Sequence, residues 1–276
     1  MANFSFGDKA TRVLDRRVAF GAPLIRILNF VFLVAVFAIN GLSTGTAFNG
    51  KSNKILSDML PNYLVPSGWA FSIWGVIYLF MAAWGIYQLL PRSYDDPACN
   101  EGVGYVFLLN AVFNITWILV FAYRLLPLSV MAILGVAVTN IVVWYRLKSK
   151  NSDPTWTQYI CVHVGFSFYT AWLIGASLVN LFAVSTTRDP SLIPQAIAAL
   201  VFLGVVEIVM ALWAMDPIIP GVGTWTLIAN YAVNSDVPQL NTAVIALAAI
   251  LGAVTALVWV WRIVAIFKGR GWHSAV

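Results

Sequence analysis

The feature that most constrains the fold of this chain is a series of apolar segments, each about 20 residues long, separated by short polar breaks. An α-helix needs about 20 apolar residues to cross a lipid bilayer. The composition agrees, because 61% of the 276 residues are hydrophobic and 10% are charged, whereas soluble domains carry roughly 25% charged residues. The sequence therefore predicts an all-α fold, a polytopic transmembrane helix bundle whose apolar faces contact lipid.

The hydrophobic pattern divides the chain into about eight predicted spans. They are residues 24–44, 67–90, 104–124, 127–147, 158–184, 192–214, 217–233 and 241–266. The breaks between them are rich in Pro, Gly, Asn and Asp, as in PRSYDDPACNEG and KSKNSDPTWT, and these residues favour turns. The segment 217–233 is short and contains Pro and Gly, so it is predicted either to span the membrane or to form a re-entrant helix that is lined by protein.

The distribution of basic residues favours eight spans with both termini in the cytoplasm. With this topology 12 of the 16 Lys and Arg residues lie inside and 4 outside, whereas seven spans give 9 and 7. Positive charges concentrate on the cytoplasmic side of membrane proteins. The segment 1–23 and the basic tail 267–276 are therefore predicted to be cytoplasmic. The net charge of +5 reflects this orientation and does not indicate a nucleic-acid partner.

Three of the predicted spans carry aromatic and amide side chains on a single face. A helix turns by about 100° per residue, so residues three, four and seven apart share a face. The stripes are Phe71, Trp74 and Tyr78 in 67–90; Asn110, Asn114, Trp117 and Phe121 in 104–124; and Tyr169, Trp172, Ala176 and Asn180 in 158–184. In the predicted topology the stripe in 67–90, the part of the second stripe from Asn114 to Phe121 and the part of the third from Trp172 to Asn180 lie in the outer half of the membrane, beneath the loop 45–66.

These stripes have two interpretations. Aromatic residues form belts at membrane interfaces, and asparagines join helices through hydrogen bonds. However, amides far inside a span are costly in lipid and are expected to face the bundle interior. An apolar, aromatic pocket with a few hydrogen-bonding groups is the usual form of a small-molecule site. The second interpretation predicts a binding site walled by three helices, with the loop 45–66 as its lid.

The same residues carry a family resemblance. Pro-x-x-Trp-x-Phe followed by Trp-x-x-x-Tyr is matched by Pro66, Trp69, Phe71, Trp74 and Tyr78; Asn-x-x-Trp-x-x-x-Phe by Asn114, Trp117 and Phe121; and Tyr-x-x-Trp-x-x-x-Ala-x-x-x-Asn by Tyr169, Trp172, Ala176 and Asn180. In these motifs the chain resembles the translocator protein family, also called tryptophan-rich sensory proteins or peripheral benzodiazepine receptors. Its members have five transmembrane helices and bind porphyrins, sterols and related amphipathic ligands.

The resemblance implies a five-helix core at 24–184, with 45–66 as its lid, followed by a C-terminal transmembrane extension at 185–266. It also implies the ligand-binding residues, which are Trp69, Phe71, Trp74, Tyr78, Asn114, Trp117, Phe121, Tyr169, Trp172, Ala176 and Asn180. One departure concerns Trp69, which precedes Trp74 by five residues. The family has a spacing of six, with Gly-Pro where this chain has Ser72-Ile73.

A second polar feature is predicted where the core meets the extension. His163 and Glu207 are expected at similar depth, and Glu207 is the only acid well inside a predicted span. A hydrogen bond or ion pair between them would avoid an isolated charge in lipid and could couple ligand binding to protons. The alternatives are a purely structural clamp, a pairing of Glu207 with Arg26 or Arg262, or a protonated Glu207.

Taken together, these patterns predict an integral, multi-pass membrane protein that binds a hydrophobic ligand such as a tetrapyrrole (porphyrin), a sterol or a lipid. Transport, sensing and storage all fit this prediction. The alternative is a structural accessory subunit of a larger membrane complex. The expected partners are membrane lipid and a small hydrophobic ligand, with a homodimer or a membrane complex left open.

An enzyme is not predicted, because the sequence has no P-loop, no HExxH motif and no credible nucleophile–His–acid set. The resemblance nevertheless includes a suggested porphyrin-degrading activity. Cys99 and Cys161 have no spacing typical of a metal site. Neither a metal nor an obligatory cofactor is therefore expected.

Overall fold

The computed structural model of the protein describes three stretches of the chain, residues 6–150, 153–185 and 187–268. Within them, the side chains before Pro23 and those of residues 53 and 54 are not described. Residues 1–5 of the predicted cytoplasmic segment 1–23 and residues 269–276 of the predicted basic tail 267–276 lie outside the described residues.

The described residues form ten α-helices and no strand. The helices are α1 (Phe6–Thr44), α2 (Asn53–Asp58), α3 (Ile73–Tyr87), α4 (Val106–Ala122), α5 (Leu126–Lys150), α6 (Trp156–Gln158), α7 (Val164–Phe182), α8 (Ile193–Ala214), α9 (Ile218–Val233) and α10 (Pro238–Phe267). A 3₁₀ turn at Gly68–Ser72 leads into α3, and a π-helical turn at Tyr159–His163 joins α6 to α7. The predicted all-α fold is confirmed.

Within the described part of the chain, six helical stretches are long and apolar enough to cross a membrane. They are Pro23–Thr44, Gly68–Tyr87, Leu126–Lys150, Trp156–Phe182, Pro190–Ala214 and Pro238–Phe267. The shorter apolar helices α4 and α9 lie among them. The prediction of a polytopic helical membrane bundle is therefore confirmed.

The helix α7 lies at the centre of the bundle. Of the residues in the apolar window of Trp156–Phe182, 78% are buried, compared with 17% in the window of α10. On its different sides α7 packs against α3, α5 and α9. Gly165 permits the contact with α3, because a Cβ atom there would already lie 3.1 Å from the Cβ of Phe80. The core and the C-terminal extension thus share α7 as a common wall.

The helix α9 connects the extension to the core. It packs against α7 on one side and against α8 and α10 on the other. Asp216, just before its first turn, contacts Trp144 at the end of α5, whereas Asn230 in its last turn contacts Tyr63 of the loop 45–66. We call these two ends of the bundle the opposite end and the lid end. Between these two ends α9 forms one unbroken helix, Ile218–Val233.

Candidate ligand-binding site

A cavity of about 650 Å³ lies at the lid end of the bundle. Its walls are formed by α1, α3, α4 and α7, and the loop 45–66 roofs it through residues that include Asn62 and Pro66. The extension contributes Thr226 of α9, whose methyl carbon would lie 3.7 Å from a Cβ atom at Gly175 of α7. The volume falls within the range of about 300–1,000 Å³ that is usual for small-molecule sites.

The structure brings most of the predicted ligand-binding residues to this one space. Eight of the eleven line the cavity, namely Phe71, Trp74, Tyr78, Trp117, Phe121, Trp172, Ala176 and Asn180. The other three, Trp69, Asn114 and Tyr169, are not among the lining residues. The three stripes therefore converge on one cavity, although not every member of a stripe faces it.

The indole of Trp74 is the centre of the aromatic wall. Its ring centroid lies 5.4 Å from that of Tyr78, 6.5 Å from that of Trp117 and 6.3 Å from that of Trp172. The Trp117 ring is inclined to it by 25° and the Trp172 ring by 82°. Offset and edge-to-face arrangements of this kind are the favourable ones for aromatic pairs. The wall is thus built from rings that hold one another in place.

The amide of Asn180 orients one of these rings. The indole N–H of Trp117 donates to Asn180 Oδ1 at 2.8 Å, and Asn180 Nδ2 donates to the hydroxyl of Ser129 on α5 at 2.9 Å. Both ends of the Asn180 amide are therefore engaged by the protein. Asn180 thus holds the Trp117 ring in place and also lines the cavity.

Asn114 and Tyr169 form a supporting layer behind the wall. The side chain of Asn40 on α1 donates to Asn114 Oδ1 at 2.8 Å, and Asn114 Nδ2 donates to the Tyr169 hydroxyl at 2.9 Å. The ring of Tyr169 in turn meets Trp74 edge-on at 5.8 Å. Asn114 and Tyr169 therefore support the wall from behind. They do not line the cavity.

Trp69, which the resemblance placed among the ligand-binding residues, does not line the cavity. Its side chain is 43% exposed and meets Trp225 of α9 edge-to-face at a centroid distance of 4.6 Å. The physical reason is the spacing of five residues, because a rotation of about 100° per residue separates the Trp69 and Trp74 side chains by about 140° around a helix. A 3₁₀ turn at Gly68–Ser72 carries Trp69.

The aromatic wall also contains a buried polar group, the indole N–H of Trp172. The residue is 3% exposed and lines the cavity. Its N–H group has no hydrogen-bond partner among the residues that the structure describes. Buried donors are rarely left unpaired in proteins.

A comparison with known protein families matches the TSPO-like protein family over residues 26–261. The matched region contains every candidate site residue and most of the chain. The chain belongs to the TSPO-like protein family. No curated protein and no solved structure matches it. Since the match continues far beyond residue 184, the segment 185–266 lies largely within the family region of this TSPO-like protein, whereas the sequence motifs reached only to residue 184.

The sequence analysis missed the contribution of α1 to the site of this TSPO-like protein. Phe37, Asn40 and Ser43 line the cavity, and the Phe37 ring lies 5.1 Å from the ring of Tyr78. Asn40 could have indicated that α1 contributes to the site, because an amide in a membrane helix usually lies on a face that contacts other helices. Thr226 was also missed, since nothing in the motif pattern links α9 to the core.

The predicted hydrogen bond between His163 and Glu207 is not formed. Glu207 is fully buried, and neither of its carboxyl oxygens has a hydrogen-bond partner among the described residues. Its carboxyl group packs against Gly223 of α9, where an added Cβ atom would collide with it. His163 lies in the π-helical turn before α7, near the ring of Tyr159. Depth alone led to the pairing, but the rotation of α8 directs Glu207 to α9.

The two arginines considered as partners of Glu207 have other contacts. Arg26 donates to the backbone oxygens of Gln88 and Ser93 at 2.9 and 2.6 Å. Arg262 lies over the Tyr159 ring, with its guanidinium carbon 5.3 Å from the ring centroid. A protonated Glu207 therefore stays as the hypothesis for this site, because an ionised carboxylate without a partner is costly in a membrane.

An ion pair closes the opposite end of the bundle. Lys148 Nζ lies 2.7 Å from Asp216 Oδ2, which also accepts hydrogen bonds from Ser167 Oγ at 2.6 Å and from Trp144 Nε1 at 3.1 Å. Asp216 is in the turn between α8 and α9. Burial favours its neutral form, but the positive charges of Lys148 and Arg262 hold the pKa of Asp216 below its usual range. The group joins α5 and α7 to the extension as a structural clamp.

Proposed function

We propose that this TSPO-like protein binds a hydrophobic, planar or amphipathic small molecule in the cavity beneath the loop 45–66. The observation that carries the proposal is a cavity of about 650 Å³ walled by the packed rings of Trp74, Trp117 and Trp172. An apolar pocket with a few converging polar groups is the usual form of a small-molecule site.

The lining of the cavity favours an uncharged ligand body. Its described side chains carry no charge, and its polar groups are hydroxyls and amides such as those of Ser43, Asn62 and Thr226. Burying an ion without a counter-charge is costly. We therefore expect a ring system or an acyl chain inside the cavity, with any carboxylate of the ligand at the mouth beside the loop 45–66.

A tetrapyrrole, a sterol and a lipid all meet this description. The flat faces of Trp74 and Trp117 suit a ring system, and the Trp172 N–H suits a hydroxyl or carbonyl oxygen. The molecule is proposed as a ligand and not as an obligatory cofactor, and no enzymatic step is proposed. Transport, sensing and storage share this binding step.

The test is to identify what the detergent-extracted protein retains and whether the wall holds it. Native mass spectrometry of the wild-type protein gives the mass of any co-purified molecule. A porphyrin titration, followed by quenching of tryptophan fluorescence, gives an affinity. We expect the double variant Trp74→Ala with Trp172→Ala to lose the bound mass and to bind the porphyrin at least about tenfold more weakly, because two large ring contacts are removed.

The matched control is the double variant Trp156→Ala with Trp259→Ala. These tryptophans are exposed and do not line the cavity, so porphyrin affinity should stay within about twofold of wild type. If the cavity double variant retained the same molecule with unchanged affinity, the proposed site would be wrong. Co-purification of an unliganded chain in a fixed complex with other proteins would instead favour the structural accessory role.

A further inference from the structure

The loop 45–66 is held by two different parts of the molecule. Its central part packs on the core through Leu56 and Leu60, which cluster with apolar residues of α4 and with Ala183 at the end of α7. Its second half enters the extension, where Tyr63 and Leu64 cluster with apolar residues of α8, α9 and α10. The roof of the cavity therefore depends on the C-terminal helices as well as on the core.

Two asparagines of the extension form hydrogen bonds with the second half of this loop. The side-chain nitrogens of Asn230 and Asn234 both donate to the backbone oxygen of Tyr63, at 2.8 and 3.1 Å. Neither asparagine has any exposed surface. Asn234 Nδ2 also donates to Asn230 Oδ1 at 3.1 Å, and Asn234 Oδ1 accepts from the Arg188 guanidinium at 2.8 Å. The two amides are thus oriented before they meet the loop.

Further contacts fix the same segment from the other side. The Tyr63 hydroxyl donates to the backbone oxygen of Arg188 at 2.8 Å, and the guanidinium of Arg188 lies 5.1 Å from the centroid of the Tyr63 ring. The backbone N–H of Ser67 donates to the backbone oxygen of Ala229 at 2.9 Å. The segment from Tyr63 to Ser67 is therefore bound along its length to α9 and to the loop that precedes α8.

The residues beside this anchor form the roof of the cavity. Asn62, Val65 and Pro66 line the cavity, whereas Tyr63 and Leu64 between them are buried in the extension. Any movement that lifts the roof must pull Tyr63 from its asparagine partners. Buried backbone oxygens that lose their donors are costly. The opening of the roof is therefore linked to the contacts that α9 makes.

We infer that Asn230 and Asn234 are positioning residues of the ligand site, which hold the Tyr63 carbonyl and thereby slow the release of a bound molecule. The inference rests on the proposed function and gives the C-terminal extension a part in it. The asparagines do not line the cavity, so they act through the loop and not on the ligand.

The experiment compares the full-length wild-type protein with the double variant Asn230→Ala and Asn234→Ala. Hydrogen exchange of residues 62–68 in the ligand-free protein measures whether the loop is released. Stopped-flow fluorescence measures the release of a pre-bound porphyrin into excess phosphatidylcholine vesicles. We expect both rates to rise by about tenfold or more, because two hydrogen bonds to one buried carbonyl are lost.

Two further variants separate positioning from general stability. Asn140→Ala removes a buried amide of α5 that donates to Phe166 O and Thr170 Oγ1, distant from the loop 45–66. It should lower the melting temperature and leave porphyrin release unchanged. Tyr63→Phe removes only the hydroxyl bond to Arg188, and release should rise by about threefold. This variant provides the test if the double asparagine variant fails to fold.

The outcomes are distinct. Unchanged exchange and unchanged release would overturn the inference, and faster exchange without faster release would overturn the link between the roof and the ligand. If the wild-type protein bound no porphyrin, the proposed function would fail for this ligand. The exchange rates of residues 62–68 would then still support or overturn the anchoring by Asn230 and Asn234.

Discussion

The two ends of α7 use polar side chains in opposite ways. At the lid end, Trp172 and Asn180 face a cavity of about 650 Å³, and the Trp172 N–H has no partner among the described residues. At the opposite end, Ser167 donates to Asp216, which is fully buried and paired with Lys148. One end has an unpaired donor in a residue that lines a cavity, and the other pairs its buried charges with each other.

This difference teaches that polarity within a membrane bundle does not by itself mark a functional site. Polar groups that bond one another hold helices together. A buried donor without a partner, next to a space large enough for a molecule, indicates where a ligand would bind. By this criterion the lid end is the candidate site and the opposite end is a clamp. Substitutions at the two ends should therefore affect different quantities.

The largest effect on stability is expected at the opposite end. Asp216→Ala leaves the buried ammonium of Lys148 without its partner, and breaking a buried pair in this way costs about 3–5 kcal/mol. The melting temperature in detergent should fall strongly. Asp95→Ala, at an exposed residue, is the control and should change stability by less than about 0.5 kcal/mol. Equal melting temperatures for the two variants would refute the clamp.

An intermediate effect is expected in the supporting layer. Asn114→Ala removes the bonds to Asn40 and to the Tyr169 hydroxyl and should destabilise the protein by about 1–3 kcal/mol, because buried polar partners are left unsatisfied. Porphyrin affinity should weaken only through displacement of Trp74. Thermal melting and fluorescence titration measure the two quantities. A loss of affinity with no loss of stability would instead place Asn114 in direct contact with the ligand.

The smallest effect on stability is expected at the wall itself. Trp172→Phe removes an N–H that bonds no described protein group, so the melting temperature should fall less than in Asn114→Ala. Porphyrin affinity should weaken by about three- to tenfold through the lost bond to the ligand. Trp117→Phe is the matched comparison, because its N–H binds Asn180 and its removal should lower stability. Similar stability losses in both variants would contradict the distinction.

Much of the fold could be predicted from hydrophobic periodicity. Apolar runs gave the helices, and the shared faces of Trp74, Trp117 and Trp172 correctly indicated a common space. The burial of Lys148 and Asp216 could not be predicted, because a lysine at a helix end and an acid in a turn usually face water. Their pairing depends on how α5 and α9 pack, which no local pattern specifies.

The errors at the site have geometric causes. Trp69 was assigned to the site by the family motif and not by helical periodicity, and its five-residue spacing from Trp74 corresponds to about 140° of helix rotation. Glu207 was paired by depth, but depth leaves the rotation of a helix about its axis undetermined, and Gly223 supplies the space that receives it. The contacts of Asn230 and Asn234 with Tyr63 could not be predicted either, because the loop that contains Tyr63 lies more than 160 residues earlier in the chain.

The most direct test of the central claim is an experimental structure of the protein with a porphyrin bound. The account predicts a ring bounded by α1, α3, α4 and α7 beneath the loop 45–66, with an acceptor atom within hydrogen-bond distance of Trp172 Nε1. A porphyrin found only on the lipid-facing surface, with the cavity beneath the loop still empty, would contradict it.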